Sequence, residues 1–224
     1  MNKSAILLAS TAMLLAACNN SPANGQDGDD DGIFAADLGG DSFVKFHPQE
    51  NFCVTYEHSG MMSGTAVNCM RKWGTERVEI EDFTIGIAGF TQQEKAHKIY
   101  IGDEIYVINT DNMTGTQTTN PIQEDLSNTD PIALGEAMMA GWGMVDSGED
   151  KTIAGLQCNV MTSPTMGSVC LTENLVMLEQ NFMSVNRIAT SVDLTSGGDD
   201  DNYTLYERVE LTEGPDVGAI LNAL

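Results

Sequence analysis

The chain has 224 residues, with 33 acidic groups against 10 basic ones and a formal net charge of −23. That balance disfavours binding to a phosphate backbone or to an anionic lipid surface, because the protein repels both. The length supplies one domain with a proper core, or two small ones, and no apolar run is long enough to span a bilayer as a stable anchor.

The first element is a signal. Lys3 and the amino terminus form a small basic region, and Ala5 to Ala17 is an uncharged apolar run that ends on Leu15-Ala16-Ala17-Cys18. This ending resembles the lipobox of bacterial lipoproteins. The resemblance implies a diacylglyceryl group on the Cys18 thiol, cleavage before Cys18 and acylation of the new amine. The plain alternative is an ordinary secretory signal with a chance cysteine. Three acyl chains, at about 0.8 kcal/mol per buried methylene, suffice for lasting attachment, so the expected membrane contact is the lipid on Cys18. Asn19 follows Cys18, and by the enterobacterial sorting rule this favours an outer-membrane lipoprotein facing the periplasm. Residues 1–17 are therefore read as the signal peptide, 18–37 as an acidic flexible tether of Asn, Ser, Pro, Gly, Gln and Asp, and 38–224 as one β-rich domain. Removal of Lys3 with the signal leaves nine basic groups and a formal charge of −24.

Four cysteines remain, and an even number in an exported domain suggests disulfides. Cys53 and Cys69 are symmetric about Met61, within a turn-rich segment between two strand-like runs; Cys158 and Cys170 are symmetric about Pro164. Residues equidistant from a hairpin's centre face each other, which pairs Cys53 with Cys69 and Cys158 with Cys170. Two other connectivities and a four-thiolate zinc site stay open, although neither pair has close ligand spacing.

In chain order, strands are expected over Asn51–Glu57, Thr65–Trp73 and Glu76–Phe83, the last with Val78 and Ile80 covered while Arg77, Glu79 and Glu81 are wet. A hairpin follows, Ile99 to Ile101 and Glu104 to Ile108 about Gly102-Asp103, a pair suited to a two-residue primed turn. With apolar residues on both faces, it should sit centrally and be covered on each side. Asp130 as N-cap and Pro131 in the first turn open a helix through Ala140, ended by Gly141 and Gly143. Further strands are expected over Lys151–Met161, Ser168–Thr172, Val176–Gln180, Asn186–Leu194 and Tyr203–Leu211, with a short helix over Pro215–Leu224. About ten antiparallel strands with two short helices define a β-rich α+β domain, a twisted half-barrel with one or two short plugging helices.

For catalysis the sequence offers no nucleophile elbow, no metalloprotease motif and no phosphate-cradling loop, so no catalytic residue and no cofactor is assigned. His47, His58 and His97 read as surface or sheet histidines. Asp27-Gly28-Asp29-Asp30-Asp31-Gly32 opens like an EF-hand calcium loop but has Leu38 where the bidentate Glu belongs. The methionines, Met61, Met62, Met138, Met139 and Met144 among them, suit Cu(I) but lack a repeat or a nearby His. Met is more often an adaptable lining for a core or an apolar pocket, so Met138, Met139 and Trp142 are the candidate contacts to an apolar ligand, with ordinary core packing as the commoner alternative.

Tyr56, Gly60, Gly64, Thr65, Gly89, Ile101-Gly102-Asp103, Tyr106-Val107-Ile108, Gly115-Thr116, Asn120-Pro121 and Lys151 to Cys158 carry a resemblance to a bacterial family of exported β-rich domains. That family resembles in fold the Lol-type lipoprotein carriers, in which an incomplete barrel plugged by helices encloses an apolar cavity. The resemblance implies no activity and no catalytic residue. The first functional reading is thus a non-enzymatic lipoprotein that binds or shields a lipid or acyl chain. The second is an envelope scaffold or interaction protein with a filled core, its protein partner unspecified, and the third a Ca or Cu binder. An apolar cavity of several hundred Å3 would favour the first, a packed interior the second.

Overall fold

In the computed structural model the described residues are 45–87, 90–119, 130–182 and 184–214. Cys18, the acidic loop at Asp27–Gly32 and the segment Pro215–Leu224 lie outside them. The chain divides after Val44, and all described residues belong to the second unit, Lys45–Leu224.

Alternating sequence builds a single open sheet of twelve strands. The first six are consecutive hairpin partners: β1 (Phe52–Gly60), β2 (Met62–Arg71), β3 (Glu76–Ile87), β4 (Phe90–Ile101), β5 (Glu104–Asn109) and β6 (Thr114–Thr119). Helix α1 (Pro131–Gly141) leads to a second meander of β7 (Val145–Ile153), β8 (Leu156–Ser163), β9 (Gly167–Leu171), β10 (Met177–Phe182) and β11 (Val185–Asp193). A short helix α2 (Asp200–Tyr203), a 3-10 turn (Leu205–Arg208) and β12 (Glu210–Glu213) complete the described chain. The order is β12-β6-β5-β4-β3-β2-β1-β11-β10-β9-β8-β7, so the β1–β11 pair joins the two meanders. Every neighbouring pair is antiparallel except β12 with β6, which is parallel. The architecture is the strand-rich twisted half-barrel that the strand count implies.

Turn chemistry explains the register. Gly102 (φ 57°) and Asp103 close β4–β5 with Ile101 opposite Glu104, a two-residue turn with glycine in its first central position. The expected single strand over Lys151–Met161 is instead broken: Ala154 (φ 50°) and Gly155 (φ 83°) form a two-residue turn with Ile153 opposite Leu156. Tyr203–Leu211 is not a strand either. It supplies the end of α2 and the 3-10 turn, and only Glu210–Glu213 pairs with β6. The uncharged polar strand β6 and the first half of β4 carry no apolar alternation to announce them.

Two cores lie on opposite faces. The larger gathers Phe52, Val54, Tyr56, Ala66 and Phe83 from the first meander with Ile153, Cys158, Val160, Cys170, Val176, Leu178 and Ala189 from the second. The smaller sets Val78, Ile99, Tyr106 and Ile108 beneath Tyr203, which is fully buried. Tyr206 stacks on Tyr106 at 4.2 Å between ring centroids, and the Tyr203 hydroxyl donates to the Gly197 carbonyl at 2.8 Å. The β4–β5 hairpin is therefore third and fourth from the β12 edge rather than central, with one face covered by this cap and the other half-buried.

Both expected disulfides are present, Cys53–Cys69 and Cys158–Cys170. Cys53 stands directly opposite Cys69, as symmetry about Met61 requires. In the second hairpin Val160, not Cys158, stands opposite Cys170, so the bridge is diagonal. The turn there is centred on Thr165, one residue beyond Pro164.

Candidate functional site

Asp130 caps α1 as expected, its carboxylate accepting from the amides of Ile132 (2.8 Å) and Ala133 (3.2 Å). No residue of the helix is fully buried. Met138, Met139 and Trp142 are half-buried, while Met144 just beyond is buried. The Ser163 hydroxyl donates to the Trp142 carbonyl at 2.9 Å and ties the helix's C-terminal end to the β8–β9 turn. At Gly135 a Cβ would lie 2.5 Å from a Leu175 methyl, so glycine permits the close approach of α1 to the β9–β10 loop.

An open cleft of about 150 Å3 lies between Gln49, Leu156, Gln157, Thr172, Glu173, Asn174, Val176 and Leu194. It is below the ~300 Å3 at which small-molecule pockets begin, and Leu156, Val176 and Leu194 share its wall with five polar residues. Met138, Met139 and Trp142 do not line it. Among the described residues no three His, Cys, Asp or Glu side chains converge on a metal-holding position.

The polar chemistry lies on the large-core face of the sheet. Arg77, Glu79 and Glu81 on β3 stand opposite Tyr100, Lys98 and Ala96 on β4. The Arg77 guanidinium lies 3.9 Å above the Tyr100 ring and its Nε is 3.6 Å from Glu79 Oε1. Lys98 Nζ reaches Glu81 Oε2 at 2.8 Å and Glu79 Oε2 at 3.8 Å. Lys98 is only 7% exposed. Burial works against its charge, but the attraction of Glu81 and Glu79 prevails and raises its pKa. The face expected to be wet is thus a half-buried ladder of two cations and two anions. The alternation of charge and apolar residues was legible, but not the partner strand that turns charges into pairs.

Further along that face, His58 on β1 stands opposite Arg187 on β11. It is 8% exposed, lies 4.7 Å from the Phe83 ring centroid, and neither ring nitrogen has a hydrogen-bond partner. Burial first, and the Arg187 charge second, lower its pKa to about 4. Arg187 itself lies 4.5 Å over the Tyr56 ring and donates to Met177 Sδ at 3.1 Å. The Tyr56 hydroxyl donates to the Met177 carbonyl at 2.7 Å, and burial pushes its pKa up to about 12.

No family model matches the chain, and no curated protein does. Among solved structures, an uncharacterized conserved protein from Thermus thermophilus aligns over 74% of this chain and 91% of its own, with 7% identity and a TM-score of 0.47. MucB, in complex with MucA(peri), aligns over 70% of this chain and 55% of its own, with 10% identity and a TM-score of 0.36. Neither likeness is close enough to carry an argument about this chain.

Proposed function

We propose that this chain is an exported, lipid-anchored envelope protein whose domain works by surface docking, rather than by catalysis or by carrying a ligand in its interior. The observation that supports it is the shared core: Tyr56 and Phe83 from one meander meet Val160 and Leu178 from the other in a single apolar cluster. Two disulfides fit an oxidising compartment, and the lipobox ending on Cys18 supplies attachment, with Asn19 favouring the outer membrane.

Native mass spectrometry of protein purified without detergent separates this reading from the lipid-carrier one. The expected spectrum shows the mass of the chain with its Cys18 modification alone. The substitution Met139→Glu is expected to leave both that spectrum and hydrophobic-dye fluorescence unchanged, apart from the mass of the substitution itself. A lipid retained in one-to-one ratio and released by Met139→Glu overturns the docking reading in favour of a carrier.

A further inference from the structure

The two ends of the sheet differ in chemistry. At one end lie the β1–β2 and β8–β9 turns, the end of β3 with the start of β4, and the end of β10 with the start of β11, brought level by the pairs Gly60 with Val185, Met62 with Ile85 and Asn181 with Ser168. Backbone bonds tie three of them together: the Met61 amide donates to the Ser184 carbonyl at 2.8 Å, and the Gly86 amide to the Met61 carbonyl at 2.9 Å. Segments 59–70, 83–93, 157–172 and 180–186, which supply these turns, contain no Asp, Glu, Lys or Arg in a chain with 33 acidic groups. Phe90 is 81% exposed and Met61 42%, and Met113 and Val145, at adjoining strand ends, are exposed too. Charge begins on β4 at Glu94, four residues on from Phe90. Asp111 lies 3.9 Å from Lys95, five residues on along β4 from Phe90, and Asp146 accepts from the Gly148 amide at 2.8 Å.

The opposite end is acidic. Glu76, Asp103, Glu173, Asp193 and Asp200 lie at its turns and strand ends, in excess over Arg71, which pairs with Glu76 and Asp200, and Lys72, which pairs with Glu76. The chain also enters the sheet there, with the amides of Phe46 and His47 both donating to the Trp73 carbonyl.

We propose that the uncharged crown of hairpin turns docks onto the surface of a lipid bilayer, with Phe90 and Met61 entering its interfacial layer. The proposal rests on the reading of the chain as an envelope protein and names its docking partner. A bilayer interface accepts aromatic and thioether side chains and penalises charge, which is the composition of these turns. A protein partner selected by complementarity to a chain of formal charge −23 would find its carboxylates at the other end. An anchor on Cys18 does not prevent the contact. The 26 residues from Asn19 to Val44 span at most about 90 Å, whereas twelve-residue β3 is about 40 Å long. Tethering also holds the domain at an effective concentration near the millimolar range, so a shallow contact through few side chains is enough.

The test places Phe90→Trp, with Trp142→Phe to lower background, in the full chain with vesicles of phosphatidylcholine carrying brominated acyl chains. The expected result is a blue-shifted, strongly quenched emission from position 90, with Trp73 at the acidic end unquenched in the parent carrying Trp142→Phe alone. Adding Met61→Asp, at an exposed position where folding is checked by an unchanged melting curve, should reduce the quenching at least fivefold. Emission at position 90 that is no more quenched than Trp73 overturns the proposal. So does a blue shift without vesicles accompanied by a dimer in sedimentation, which would assign the crown to a second copy of the chain. Intact mass reports acylation of Cys18 separately, so a missing anchor is distinguishable from a crown that does not bind.

Discussion

At the residue scale, the informative side chains are polar ones inside the sheet. His58 titrates near 6.5 in an unfolded chain and near 4 in the fold, because burial and the facing Arg187 disfavour its cation. Between those values the unfolded state binds the proton and the folded state does not, so stability rises with pH across this window. The contribution of neutral His58 is lost as pH falls from 6.5 toward 4. The groups around it are Arg187 on β11, the apolar Phe83 on β3 and Gly64 on β2, with no carboxylate directly across either ladder to reverse the sign. Thermal melts from pH 7 to pH 4 should therefore show a shallower decline for His58→Phe than for the parent, and identical slopes would reject the assignment. Lys98 makes the opposite case, since its charge is wanted. Lys98→Met strands Glu81 on a half-buried face and leaves Glu79 with Arg77 alone, and loss of one partner of a buried pair costs about 3–5 kcal/mol. Chemical denaturation reads that loss directly, and a cost below about 1 kcal/mol would show the ladder to be solvated.

At the element scale, hairpins were legible where local chemistry closes them and illegible where a distant partner does. Gly102-Asp103 announces its turn because glycine adopts positive φ without penalty. The Cys53–Cys69 symmetry fixes β1–β2 to the residue, whereas the Cys158–Cys170 symmetry gives the right bond but misplaces the turn by one. Ala154-Gly155 was hidden by its alanine, which holds φ 50° in a position that favours Asn. Ala154→Asn should consequently raise the melting temperature by a few degrees, a gain of about 0.5–1 kcal/mol, and Ala154→Val should lower it. Equal melting of the three proteins would mean that the turn relaxes. Tyr203–Leu211 misled for another reason: its alternating apolar residues reach the small core from a helix and a 3-10 turn, because the Gly197-Gly198 loop passes over the Cys53–Cys69 bridge and sets the chain down across the strands. Met138, Met139 and Trp142 were chosen for their side chains, and the tertiary placement of α1 leaves all three only half-buried.

At the scale of the whole molecule, the topology makes two meanders depend on each other. Each alone would leave the β1–β11 edge unpaired and half of the large core open to water, since Val54, Tyr56 and Ala66 belong to one meander and Val160, Val176 and Leu178 to the other. The second is stapled by its own disulfide and the first by another, which lowers the entropic cost of closing each half without joining them. Cooperation must come from the shared core and the β1–β11 seam. The sequence places one tryptophan on each side of that seam: Trp73 in the turn after β2, and Trp142 after α1, held by Ser163. Single-tryptophan forms made with Trp142→Phe or Trp73→Phe should show denaturation curves with one common midpoint and slope, each corrected for its own substitution by circular dichroism. A second midpoint for Trp142 would mean that the stapled β7–β11 meander holds together after the first has opened. In that case the shared core would be an interface between two separately folding halves, and the seam would be the weakest line in the sheet.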